Sequence, residues 1–476
     1  MSDERKQINL SFSGDNRFAS SMMQGRFLYF LEIHSPLACQ PAAAALALLK
    51  EKSRELAALP QIFAFVVTDR LLSEDCHDPY LAAEAISTGS GKPVIISISG
   101  KGSSAERVKG ILAEAKAQGL RNFLAVSGDC PRQEQLADHP GRQHLDSLEI
   151  LQTAGHFGPG LCLGAAVNPF KYTPEDQCLQ YAKMVRKLRS GANYLVTQAG
   201  WDMKKAQELQ WFLQKRAFAV MVVARVCLLS WEEAQQLADG YRPGIYFSVP
   251  LGSALMQDAQ GTQEEFQERQ LRRVARQIVG YQKLGYGGVQ LSGLRDPALL
   301  QKLFGLIAQE ESSNPDYDHW LKNWNDAYGK HNPAPGLGAH YLFRGLMQPG
   351  ERDYAPEKHP LAGTRLRRPA RLDSWRASLG NLLLAGSRPP VWWRRILQLL
   401  CRLPEEELQR LRPCFYLDNS SCPKGLRLGP CGGSRQDGRC EDGSQPCFFQ
   451  RVMRLAAARN QFGTLEGDYD DTAKQQ

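Results

Sequence analysis

The sequence contains no apolar run long enough to cross a bilayer, no leader-like apolar stretch after its first residues, and no GxGxxG where a strand pattern turns into a helix pattern. These absences argue against a membrane span, a secretory signal and a Rossmann dinucleotide fold. The opening Met-Ser-Asp-Glu-Arg-Lys-Gln is polar, so the expectation is a cytoplasmic protein. Internal repeats are missing too, apart from the strand–helix unit itself. With 43% hydrophobic and 23% charged residues, the chain has the composition of an ordinary globular protein rather than a disordered one.

What is present is length. At 476 residues the chain exceeds the size at which a single core stops growing, which implies one large domain with a smaller appendage. The formal net charge of +8 is unevenly spread. Arg367, Arg368, Arg371, Arg376, Arg388, Arg394, Arg395 and Arg402 crowd between Arg365 and Arg412. An amphipathic linker whose arginines are solvated or meet an acidic partner is the expected reading, ahead of a nucleic-acid surface.

From residue 27 to about 310, short apolar runs alternate with longer helical patterns, the mark of parallel strands with crossover helices. The runs are Phe27–Ile33, Ile62–Val67, Val94–Ile98, Asn122–Val126, Leu161–Val167, Tyr194–Thr197, Ala219–Val223 and Gly288–Leu291. Between them lie amphipathic segments such as 42–56, 105–118, 174–189, 203–214, 230–238 and 264–284. Thr173 before Pro174, and Ser230 before Trp-Glu-Glu, are helix-starting signals. Eight such units predict an α/β fold, a (β/α)8 TIM-type barrel followed by a small Cys-rich domain.

In such a barrel, function resides where the strands end. Those ends carry Glu32 with His34, Thr68-Asp69, Ser97–Gly100, Ser127-Gly128-Asp129, Asn168, Gln198, Arg225 and Ser292–Arg295. An acid on the first strand, another on the fourth and an amide on the sixth are suited to surround a flat polar heterocycle.

Of the 12 cysteines, Cys39, Cys76, Cys130, Cys162, Cys178, Cys227 and Cys401 are scattered among apolar residues, as reduced thiols are in cytosolic proteins. The others, Cys414, Cys422, Cys431, Cys440 and Cys447, lie close together among Gly and Pro that permit tight turns around a metal or cluster. Their spacing is not that of paired zinc knuckles, and thiolate softness alone suits zinc and [4Fe–4S] equally.

The run Cys422-Pro-Lys-Gly-Leu-Arg-Leu-Gly-Pro-Cys431-Gly-Gly, with Cys440 beyond, resembles the Cys-rich C-terminal module associated with methylenetetrahydrofolate reductases. The barrel carries matching motifs: Leu31-Glu32-Ile33-His34-Ser35-Pro36, Ser127-Gly128-Asp129, and Gly191-Ala192 through Thr197-Gln198 followed by Trp201-Asp202. The resemblance implies a flavoprotein oxidoreductase of one-carbon metabolism and methionine biosynthesis. It would interconvert 5,10-methylenetetrahydrofolate and 5-methyltetrahydrofolate using FAD, with NAD(P)H as electron donor, and zinc or [4Fe–4S] in the C-terminal domain. It assigns Glu32 as the acid that protonates the folate nitrogen, kept protonated by Phe30, Leu31 and Ile33. Asp129 would contact flavin and pterin, and Gln198 and Arg295 would contact the substrate. Thr68 and Gly128 would lie at the flavin, Arg186 and Lys187 at its phosphates, and Cys422, Cys431, Cys440 and Cys447 at the metal with Cys414 in reserve.

Departures from the family pattern are Ser127 for arginine, Ile96 for a strand-three histidine, Gly164 for a strand-five tyrosine and Asp69 for the tyrosine after Thr68. They keep open an alternative from another class: a folate-binding or electron-transfer subunit of a methyltransferase or reductase complex, without its own NAD(P)H oxidation. Partners are expected to be tetrahydrofolate derivatives and a methyltransferase or electron-transfer protein, with oligomerisation open. The expected segments are an N-terminal extension 1–24, barrel 25–312, linker and helical region 313–400, Cys-rich domain 401–463 and polar tail 464–476.

Overall fold

Side chains of a strand alternate between its two faces, and in a closed barrel one face points inward. The computed structural model describes residues 16–71, 75–130, 144–158, 160–239, 242–328, 338–349, 361, 366–384, 392, 410–443 and 445–467. The helix expected over 391–402 and several of the arginines between 365 and 412 lie outside these residues.

Strands β1 (Leu28–His34), β2 (Ile62–Thr68), β3 (Val94–Ser99), β4 (Asn122–Val126), β5 (Cys162–Val167), β6 (Tyr194–Thr197), β7 (Met221–Cys227) and β8 (Gly288–Ser292) pair in parallel in chain order, and β8 closes on β1. This is the TIM-type barrel that the alternation implied. The largest shift from expectation is at β7, which starts at Met221 and runs on to Cys227 because that stretch stays in register with β8, Val223 opposite Gly288 and Cys227 opposite Ser292.

The described helices are α1 (Arg17–Met23), α2 (Ala42–Ala57), α3 (Pro79–Ser90), α4 (Ala105–Ala117), α5 (Ser147–Gly155), α6 (Pro174–Arg189), α7 (Met203–Lys215), α8 (Trp231–Ala238), α9 (Val249–Asp258), α10 (Gln263–Lys283), α11 (Pro297–Ser313), α12 (Tyr317–Tyr328), α13 (Arg371–Leu384), α14 (Phe448–Ala458) and α15 (Phe462–Leu465). Their starts follow local chemistry. Thr173 accepts the Asp176 N–H with Pro174 in the first turn of α6, and Ser230 with Glu233 forms a capping box on α8. No described helix is long and apolar enough to cross a membrane.

Two cores follow from the alternation. Outward residues such as Leu31, Ile33, Phe65, Val67, Ile96 and Ile98 join the helices in the large outer core. Inward residues of the lower barrel, among them Phe30, Ala64, Val66, Ile95, Leu124, Tyr194 and Val223, form a separate apolar plug with Phe18 of α1. Phe18 meets Tyr194 and Phe30 edge-on, at centroid distances of 5.2 and 5.7 Å. Higher up, the inward positions turn polar: Glu32, Thr68, Arg225, Gln290 and Ser292.

This face assignment explains two departures. Ile96, standing for a histidine near the flavin, points into the outer core and not toward the mouth. At Gly164 the space of a larger side chain is filled by Tyr194 from β6, whose ring would lie 2.3 Å from an added Cβ.

Beyond α11 the chain stays on the barrel. Trp320 and Trp324 of α12 are buried, the Trp320 indole donates to Arg276 O at 3.0 Å, and Tyr341 donates to Asp202 at 2.7 Å. The Cys-rich module is a series of turns ending in α14, whose Phe448, Phe449, Val452, Met453 and Leu455 are buried. That apolar face packs on α6.

Because Phe18 is fully buried among aromatic rings, Phe18→Ala is expected to cost about 3–5 kcal/mol of stability through the cavity it leaves. Urea denaturation measures this. A loss below about 1 kcal/mol would show that α1 does not seal the barrel floor.

Candidate active site

The upper barrel interior is organised around one carboxylate. Glu32 is 2% exposed. Its oxygens meet the Arg225 guanidinium at 2.8 Å and the Gln290 amide nitrogen at 2.5 Å. Arg225 also donates to Ser292 Oγ at 3.1 Å and approaches Gln198 Oε1 at 3.4 Å. Strands β1, β7 and β8 and the loop after β6 therefore converge on a single buried network.

Burial by itself raises the Glu32 carboxyl, but the Arg225 charge and hydrogen bonds from Ser292 and Arg225 outweigh it and hold the group below its ordinary range. This corrects the expectation of a carboxyl kept protonated by apolar neighbours. The cause is the alternation: Leu31 and Ile33 point outward, and only Phe30 shares the inward face with Glu32.

Beside this network, His34 shares a 2.9 Å hydrogen bond between its Nδ1 and Thr68 Oγ1. Burial, and then the Arg295 charge, lower His34 to about 4, so it is neutral at pH 7. Arg295 itself is exposed after β8. Across the mouth, Asp129 is solvent-reached, and crowding followed by Glu441 raises its carboxyl while Lys424 opposes. Gly128 holds a positive φ of 76°, and an added Cβ would stand 2.5 Å from Ser99 Oγ. Asp69, in the place of a tyrosine, is taken up by a bidentate pair with Arg107 at 2.9 Å and by the Ser99 N–H.

The structure thus brings Glu32, Gln198 and Thr68 to one mouth, with Gly128, Asp129 and Arg295 on its rim. Arg186 and Lys187 are not there. Arg186 donates to Leu428 O at 3.0 Å and Thr464 O at 2.6 Å, both in the Cys-rich module, and Lys187 donates to Ala166 O at 2.6 Å. Gln290 was not anticipated, and Arg225 was noted only as a strand end. Their signal was a polar residue at an inward position of an otherwise apolar strand, Val-Val-Ala-Arg-Val and Gly-Val-Gln-Leu.

The module reaches the mouth directly. Lys424 donates to Gly128 O and to Glu441, each at 2.8 Å, and Glu441 accepts the Cys130 N–H. Cys431 stands near enough to influence Cys422, Cys440, Cys447 and Cys130 electrostatically. Each of the four module thiols also accepts a backbone N–H two residues on: Lys424, Gly433, Asp442 and Phe449 respectively. Such donors favour the thiolate, as metal-binding turns do. Cys414 differs. It is fully buried and donates to Arg427 O at 3.1 Å. Among the described residues, no three His, Cys, Asp or Glu side chains close on a common ion position.

A closed eight-stranded parallel barrel with a buried charged network at its mouth and a thiol-rich module against that mouth defines the class: a TIM-type barrel with an enzyme-like C-terminal face. The chain belongs to the methylenetetrahydrofolate reductase family, whose model matches residues 17–289, and the model described as methylene-tetrahydrofolate reductase C terminal matches residues 414–471. Methylenetetrahydrofolate reductase 1 of Schizosaccharomyces pombe is 29% identical over 103 residues, which are 21% of this chain and 17% of that relative. The chain therefore matches under a fifth of that protein's length. A solved structure of an uncharacterised protein from Clostridium thermocellum, which binds two copies of 5-methyl-5,6,7,8-tetrahydrofolic acid, superposes with a TM-score of 0.45 at 12% identity, over 62% of this chain and 98% of the other.

The pH dependence of stability follows from His34. Its folded value of about 4 lies below the ordinary 6.5, so between these values the unfolded chain binds the extra proton. The His34 contribution is fully present above pH 6.5 and is lost as pH falls toward 4. Urea midpoints over this window should fall with pH, and less steeply in His34→Gln. An unchanged slope in the variant would remove His34 as a cause.

Proposed function

We propose that this chain is an oxidoreductase interconverting 5,10-methylenetetrahydrofolate and 5-methyltetrahydrofolate at the barrel mouth. The observation that carries the reading is the buried Glu32–Arg225–Gln290 network in a barrel of this family. Glu32 rests ionised, the state needed to accept a proton when the folate bridge closes. In the opposite direction the acid must carry a proton. Displacing Arg225 by bound substrate would leave burial as the dominant influence and raise the carboxyl. Asp129 and Gln198 supply acceptors and a donor for the pterin edge, with Arg295 at the rim for the folate's anionic tail.

The family resemblance implies FAD, which when bound would carry hydride equivalents. Thr68, Gly128 and Asp129 are placed to meet its ring. Arg186 and Lys187 do not fit its phosphates, since both heads are engaged with main-chain carbonyls away from the mouth. This favours the second reading, a subunit that receives electrons from a protein partner without oxidising NAD(P)H itself. For the module we propose a thiolate centre, zinc ahead of [4Fe–4S], held by Cys422, Cys431, Cys440 and Cys447. The four N–H···S contacts support it, and Cys414 drops out because its thiol is a donor to a carbonyl.

Glu32→Gln should lower folate turnover by about 10²–10⁴-fold while 5-methyltetrahydrofolate binding, measured by equilibrium dialysis, changes less than about threefold. A loss in turnover below about tenfold would reject the proton-transfer role. For the thiols, Cys431→Ser should abolish bound metal and Cys414→Ser should leave it unchanged, as read by elemental analysis after anaerobic purification. Equal effects of the two substitutions would reject the ligand set.

A further inference from the structure

By sequence α6 is an amphipathic helix with a charged face, yet every residue from Glu175 to Leu188 is buried. The cover is the Cys-rich module. Its segment from Leu428 to Ser434 lies along a row of donors that begins on α6 and continues to the end of β5. Arg186 donates to Leu428 O at 3.0 Å, and Lys183 to Gly429 O at 3.1 Å and Pro430 O at 2.9 Å. Asn168 donates to Gly432 O at 2.8 Å and Lys171 to Ser434 O at 2.5 Å.

The fit depends on glycine. Gly429 has φ of 127°, and an added Cβ would stand 2.9 Å from the Lys183 side chain. Gly432, with φ of 89°, lies over Asn168 and Gln180. Only a backbone without Cβ can follow the trench so closely.

The chemistry of the trench exceeds what the module supplies. Cationic donors bind anionic oxygens roughly twice as strongly as neutral ones, but the acceptors they meet in the module are neutral carbonyls. Gln180, 6% exposed, has its side-chain amide nitrogen in the same place with no hydrogen-bond partner. An orphaned buried donor beside three cations is the setting of a ligand carrying several anionic oxygens.

We propose that the trench formed by Asn168, Lys171, Gln180, Lys183 and Arg186 is a phosphate site for a dinucleotide, and that the Leu428–Ser434 main chain is its intramolecular occupant. A dinucleotide phosphate and the docked module exclude one another. The docked chain binds at most a flavin ring at the mouth and gains nothing from the adenylate half of FAD. The inference rests on the reading of the mouth only for where that ring would lie.

The experiment compares riboflavin and FAD binding by fluorescence quenching in the full chain and in a full-length variant whose module is released. Glu466→Lys combined with Arg454→Glu reverses the contacts of Glu466 with Arg216, at 2.6 and 2.8 Å, and of Arg454 with Glu175, at 2.9 Å, without touching the trench. Gly429→Val is a second route to release, and limited trypsin digestion verifies it. The unaltered chain is expected to bind FAD and riboflavin within about threefold of each other, or neither. The released variant should prefer FAD by at least about tenfold, a preference abolished by adding Arg186→Ala. Two results overturn the proposal: a tenfold FAD preference that depends on Arg186 while the module stays protease-resistant, or a released module with no FAD preference. Dialysis of 5-methyltetrahydrofolate against the same samples tests the mouth separately, so failure of the folate reading leaves a distinct signature.

Discussion

A buried carboxylate and a buried guanidinium are tolerable only in contact, because either alone would bear the full cost of leaving water. The Glu32–Arg225 pair meets that condition and in doing so orders the mouth. Arg225 ties β7 to β1, Ser292 and Gln290 add β8, and Gln198 brings the loop after β6. The apolar plug below, closed by Phe18, keeps this polar layer at the strands' C-terminal ends. The division of the barrel into a dry floor and a charged mouth is thus one pattern of inward residues read from bottom to top.

The module depends on a second set of buried charges. Lys183 pairs with Asp146 at 2.7 Å, both almost fully enclosed, and extends its remaining donors to the module's main chain. Lys424 does the reverse, reaching from the module to Gly128 on the barrel. A Gly-rich segment with little apolar surface of its own is held by these contacts and by the buried face of α14. Thiol turns and barrel mouth form a continuous structure through Lys424 and Glu441, which places any charge on Cys431 a few ångströms from the loop bearing Asp129.

Much of this was legible beforehand. The eight strands and the main helices were visible because a buried strand reads as a short apolar run and a crossover helix as a longer amphipathic one, with Thr173-Pro174 and Ser230 marking starts. Glu32, Asp129 and Gln198 were legible as polar residues where those runs end. Arg186 and Lys187 misled for an identifiable reason: on a helix, a basic pair looks the same whether it faces solvent, a ligand or another part of the same chain. The protonation of Glu32 misled because neighbours in sequence lie on opposite faces of a strand, so Leu31 and Ile33 are the residues least able to touch it.

By itself the sequence determined the barrel, the order of its parts, the family and the thiol-rich module, since these rest on periodicity and on residues adjacent along the chain. Only the tertiary structure decided that Arg225 rather than apolar packing sets the charge of Glu32, and that Cys414 stands apart from the other four thiols. It also decided that the basic face of α6 is covered by Leu428–Ser434. Each of these is a contact between groups far apart in the chain, and Coulombic and hydrogen-bond energies depend on distance in space, which closing the barrel and docking the module establish.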